Sequence, residues 1–106
     1  MNIKTVKVTC TVANTAYNVV TGTTSAPTNR NKDYIGSEAT FQNQTTGSVA
    51  TVGASDVVSN AGIILIERGA AQTVRGVNPS AVQLQEWFVS SNVAGGIVVV
   101  QLRKFV

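Results

Sequence analysis

Trp87-Phe88-Val89-Ser90-Ser91-Asn92-Val93-Ala94-Gly95-Gly96-Ile97-Val98-Val99-Val100 decides the fold class of this chain. Two apolar runs, Trp87 to Val89 and Ile97 to Val100, flank small and polar residues that end in a Gly-Gly pair. Each run is too short to span a membrane and too rich in β-branched or aromatic residues to read first as helix. The stretch therefore predicts two strands joined by a turn over Asn92 to Gly96. Four consecutive β-branched residues predict a last strand covered on both faces, by an opposing sheet or by a neighbouring subunit.

Working outward, Val82 and Leu84 alternate into Glu86-Trp87-Phe88-Val89-Ser90-Ser91, which predicts one late strand across this region. Trp87 is out of phase with Leu84 and Phe88, so it carries two readings, core residue and interface anchor. Phe88 reads as core. Further upstream, Ile63-Ile64-Leu65-Ile66 lies between Gly62 and Gly69 and predicts a strongly buried strand, preceded by a shorter one that includes Val57-Val58. Ala39 to Asn43 and Ser48 to Val52 predict two more strands around Gln44-Thr45-Thr46-Gly47, with Phe41 as the anchor of the first.

The N-terminal third begins with the clearest alternation in the chain. Val6, Val8, Cys10 and Val12 fall on one face of a strand over Thr5 to Val12, and Thr5, Lys7, Thr9 and Thr11 fall on the other. Ala16 to Val20 predicts a short second strand with Tyr17 as a packing residue. From Thr21 to Lys32 the composition turns to Thr, Ser, Ala, Pro and Asn, which predicts a polar loop at 21–32 held by side-chain bonds to backbone amides. Thr21, Pro27, Asn29, Arg30 and Lys32 in this loop, with Tyr34 just beyond it and Trp87, are the candidate partner-binding residues.

Composition narrows the chemistry. The chain has 106 residues, room for a single β-rich domain over 1–106, and no histidine. Its one cysteine, Cys10, has no companion for a disulfide and sits on the apolar face of the first strand. Asp33, Glu38, Asp56, Glu67 and Glu86 are too dispersed in sequence to define a carboxylate pair. We therefore expect no catalytic residues, no metal and no cofactor. Charged residues make up only 12% of the chain, against about a quarter in ordinary soluble domains, so Thr, Ser, Asn and Gln must cover much of its surface. The net charge of +3 is scattered from Lys4 to Lys104 without a focused basic face, which argues against direct nucleic-acid binding. No long hydrophobic segment opens the chain, so cytoplasmic synthesis and no membrane partner are expected. Asn43-Gln44-Thr45 matches the minimal glycosylation acceptor, a motif common by chance.

Several short strands with glycine-bearing connections favour an all-β fold, a compact β-sandwich or jelly-roll-like domain, with a small β-barrel as the runner-up. At this level Val57 through Leu102 resembles the small β-sandwich virion proteins of tailed bacteriophages. The residues that carry the likeness are Val58-Ser59, Gly62, Ile63 to Ile66 with Gly69, Trp87-Phe88-Val89, and Ala94-Gly95-Gly96 before Ile97 to Val100. It covers about half of the chain and departs around Thr51 to Ala54, where Val52-Gly53 is the nearest approximation.

The resemblance implies a capsid decoration or cement protein on the exterior of a phage head, made in the bacterial host cytoplasm. Its implied partners are the major capsid protein and identical subunits, with a trimer as the implied assembly. A small tail, neck or receptor-binding module is the alternative that the same resemblance implies.

Overall fold

The structure, a computed structural model, describes residues 3–28, 32–54, 57, 62–65, 68–75 and 82–104. Its strands are β1 (Ile3–Cys10), β2 (Tyr17–Asn18), β3 (Ile35–Asn43), β4 (Ala50–Gly53), β5 (Ile63–Leu65), β6 (Ala71–Arg75), β7 (Val82–Gln83), β8 (Phe88–Ser91) and β9 (Gly96–Lys104). Single 3-10 turns at Lys32–Tyr34 and Leu84–Glu86 are the helical elements among the described residues. The fold is all-β, as the apolar runs require.

The strands form two sheets. The first runs β1-β9-β3-β6, with β7 also paired to β3, and the second runs β2-β8-β4-β5. Every pairing is antiparallel. With β7 set aside, the pairs nest from the outside inward: β1 with β9, β2 with β8, β3 with β6 and β4 with β5. Successive nested pairs alternate between the sheets, and β9–β3 and β8–β4 pairings join the pairs within each sheet. The chain thus resembles one long hairpin folded over itself.

The core lies between the inward faces. Val8 and Cys10 of β1, Ala39 and Phe41 of β3, and Val98, Val100 and Leu102 of β9 meet Tyr17, Ala50, Val52, Leu65 and Val89 of the second sheet, all buried. Full burial of each larger aliphatic or aromatic side chain contributes about 1.5–3 kcal/mol. The alternation read in the first strand holds, with inward Val8 and Cys10 against outward Thr5, Lys7 and Thr9. The strand ends at Cys10, however, and Val12 is 58% exposed in the following turn. There the Val12 amide donates to Tyr17 Oη at 2.9 Å, so a local bond to the tyrosine ends the ladder.

Tertiary context corrects or refines several expectations. β5 is an edge strand, so its Ile64 is 47% exposed although Leu65 is buried. Val82 to Ser91 is two strands in different sheets, separated by the Leu84–Glu86 turn that carries the chain from one sheet to the other. Phe88 is buried yet stands outside the main core cluster, in line with Gly53 and Asn18 on the opposite face of its sheet from Val89. Val57 is buried on this side too, and a Cβ at Gly53 would meet its side chain at 3.2 Å. β9 is fully buried at Val98 and Val100, whereas Ile97 and Val99 are half-buried on the outer face. β6, with the single large aliphatic Val74, gives no apolar run and was not expected.

Two buried asparagines complete the frame. The Asn43 carboxamide donates to the Ser48 and Leu65 carbonyls at 3.0 and 3.1 Å and accepts from the Thr45 amide and Ser48 hydroxyl. These bonds hold the β3–β4 connection in place of a ladder. They also bury the one glycosylation motif inside the fold, so Asn43 is a structural hub and offers no accessible acceptor.

Candidate surface for a binding partner

Thr21, Tyr34 and Trp87 lie near one end of the two sheets. Asn18 pairs with Phe88 and Phe88 with Gly53, so the ends of β2 and β4 meet the start of β8. In the other sheet the start of β3 meets β7 and the end of β9 through Ile35–Gln83 and Gly36–Lys104. The Leu84–Glu86 turn joins these two groups.

Thr21 is fixed at this end by Asn18. The Asn18 Oδ1 accepts from the Val20 and Thr21 amides at 2.9 and 3.1 Å, while its Nδ2 donates to the Gln85 carbonyl at 2.9 Å. The Val19 amide adds a bond to the Trp87 carbonyl at 3.0 Å. Thr21 Oγ1 then donates to the Ser25 carbonyl at 2.8 Å and shares a hydrogen bond with Thr23 Oγ1. Residues 21–25 are therefore exposed but ordered by hydroxyl-to-backbone bonds. Pro27 is half-buried. Asn29 and Arg30 lie outside the described residues, and Lys32 enters only through the backbone of its 3-10 turn.

Trp87 lies at the rim of the core. Its ring packs on the core residue Phe41 with centroids 5.4 Å apart and planes tilted by 39°, a favourable aromatic geometry. The half-buried remainder borders an open cleft of about 310 Å³ with Gly53, Ala54 and Glu86. Tyr34 is also half-buried against the core, with Lys4 Nζ 4.9 Å from its ring centroid. Neighbouring charges are mostly spoken for: Lys104 pairs with Asp33 at 3.2 Å, and Glu38 sits between Arg75 at 3.0 Å and Arg103 at 3.5 Å. Arg103 and Lys104 thus serve ion pairs within the fold.

A second surface was not anticipated from the sequence. On the outer face of the first sheet, Thr5, Gln101, Thr40 and Thr73 stand in one cross-strand row, and Lys7, Val99, Gln42 and Ala71 in the next. Thr40 and Thr73 share a hydroxyl hydrogen bond of 2.9 Å. A groove of about 240 Å³ follows Thr40, Gln42, Gln44, Val99 and Gln101. The alternation Glu38-x-Thr40-x-Gln42 carried the signal, but only strand register shows that these residues align with Gln101 and Thr73.

Among the described residues no group of three or more His, Cys, Asp or Glu side chains could hold a metal ion. Burial pushes the Cys10 thiol up to about 11, which suppresses the thiolate required for nucleophilic work at neutral pH. No helix among the described residues is long and apolar enough to cross a membrane. Compared with known protein families, curated proteins and solved structures, the chain matches none.

Proposed function

We propose that this chain is a non-enzymatic virion component, a capsid decoration or cement protein that binds the exterior of a bacteriophage head. The observation that carries the reading is the nested pairing of β1 with β9, β2 with β8, β3 with β6 and β4 with β5 across two sheets. Such nesting supports a jelly-roll sandwich, an architecture used by viral capsid proteins and lectins. Because a fold hosts many functions, the choice of role rests on its surface and on the phage-protein resemblance of Val57 through Leu102.

The surface supports a repeated protein contact. Its outer sheet face is a broad array of Thr and Gln with few free charges, able to lie on a shell at small desolvation cost per residue. Thr21, Pro27, Tyr34 and Trp87 supply a second contact region at one end. The major capsid protein and identical subunits are the partners in this reading, and many copies reinforce a shell through multivalency.

Purified protein mixed with undecorated heads should bind saturably, at a fixed ratio to the capsid subunit, and raise the temperature at which the heads rupture. Absence of binding under assembly conditions refutes the role. The Trp87 and Glu86 cleft favours a second reading, a tail, neck or receptor-binding module. Labelling at a single vertex, with few copies per particle and attachment to host cells, would select that reading instead.

A further inference from the structure

We infer that β1 is a self-association edge, through which two copies of this chain join antiparallel about a two-fold axis centred on Val6. The inference stands apart from the virion reading, since it rests on strand geometry alone.

Among the described residues β1 pairs only with β9, in an unbroken register from Ile3–Arg103 to Cys10–Gly96, and so forms the outer edge of its sheet. Which backbone groups face outward follows from two bonds. The Gly95 amide donates to the Cys10 carbonyl at 2.8 Å, placing the polar groups of Cys10 on the β9 side. On the far side of β9, the Gln44 amide donates to the Ile97 carbonyl at 2.9 Å, so Ile97 faces β3. Antiparallel alternation then turns Lys4, Val6, Val8 and Cys10 toward β9 and leaves the N–H and C=O groups of Ile3, Thr5, Lys7 and Thr9 on the open edge. The side chains of these four residues are exposed, Ile3 by 59%.

An edge of eight residues without proline, glycine or bulge is a ready template for another strand. By contrast, the edges of the second sheet, β2 and β5, are two and three residues long. The sequence of β1 selects its own copy as the occupant. With Val6 opposite Val6, Thr5 meets Lys7 of the copy, Ile3 meets Thr9, and Lys4 meets Val8. This register forms about eight inter-strand hydrogen bonds. It places no like charges directly opposite and covers the half-buried Val6 with a second β-branched side chain. Moving the axis to Lys7 would set two ammonium groups face to face, and moving it to Thr5 would shorten the ladder. The two first sheets become one continuous sheet across the axis.

Two exposed substitutions test the pairing without touching the core. T5E sets a carboxylate opposite Lys7 of the copy and should tighten dimerisation by about 3- to 10-fold; T5K sets an ammonium there and should weaken it by a similar factor. Sedimentation across a concentration series reads both, with circular dichroism checking that each variant is folded. V6C should yield a disulfide-linked dimer, because facing residues at a non-hydrogen-bonded site lie about 4.5 Å apart at Cα, within disulfide reach. K7C reports the rival register and should remain uncrosslinked. A folded monomer at all concentrations, a trimer indifferent to T5E and T5K, or crosslinking through K7C in place of V6C would overturn the inference.

Discussion

The Asn18 carboxamide donates to the main-chain carbonyl of Gln85 at 2.9 Å, joining the start of the polar loop to the turn that carries Trp87 across 67 positions of sequence. Both partners are buried, so the bond lies at the base of the candidate surface. It brings two segments that are distant in the chain side by side.

Replacing Asn18 with Ala should destabilise the domain by about 2–4 kcal/mol, because the amides of Val20 and Thr21 and the Gln85 carbonyl lose buried partners together. Urea denaturation should show a lower midpoint at an unchanged slope. In native-state hydrogen exchange, the Val20 and Thr21 amides should lose more protection than those of β9.

Phe41 and Trp87 should separate by size of effect despite their contact. Phe41→Ala empties a fully buried site between the sheets and should cost about 3–5 kcal/mol. Trp87→Phe keeps an aromatic ring over Phe41 and should cost less than about 1.5 kcal/mol. If Trp87 anchors a partner, W87F should weaken shell binding more than it lowers the thermal midpoint, which paired binding and melting measurements can compare.

Gly22 and Gly36 should respond to alanine for different reasons. Gly22 has φ +69° with open space around it, so Gly22→Ala should cost about 1 kcal/mol of backbone strain, and Gly22→Asn less. Gly36 lies beside β9, where an added Cβ collides with the Arg103 carbonyl oxygen, so Gly36→Ala should cost about 1–3 kcal/mol and Gly36→Asn should not restore it. Denaturation curves of the four variants test this contrast.

Cys10 should give the domain an alkaline limit. Desolvation raises its thiol from an ordinary 9.0 to about 11, so the unfolded chain releases the proton first as pH rises. The unfolded state then binds fewer protons, and this contribution, intact below pH 9.0, should disappear as pH climbs through about 11. Cys10→Ala should flatten that part of the stability profile relative to the parent, and the native thiol should react with aromatic disulfide reagents only as the protein unfolds.

Local chemistry made much of the fold legible. The period-two pattern from Val6 to Cys10, the anchor Phe41 and the valine run of β9 identify buried strand faces, because alternation is a property of neighbouring residues. Residues 21–28 carry neither strand nor helix, in keeping with their Thr, Ser and Pro composition. β6 was not, since Ala71 to Arg75 buries too little to leave an apolar signature and is held chiefly by its pairing with β3. Trp87 kept two readings until the Leu84–Glu86 turn placed its ring at the rim of the core.

The sequence by itself determined an all-β chain, a buried Cys10 and a polar, weakly charged exterior. Only the tertiary structure decided that β1 meets β9 across most of the chain, that Thr5 stands in line with Gln101 and Thr40, and that the buried Asn18 carboxamide ties the Thr21 amide to the Gln85 carbonyl. The reason is physical: side-chain alternation is written into adjacent residues, whereas the choice of partner strand depends on which distant faces exclude water together.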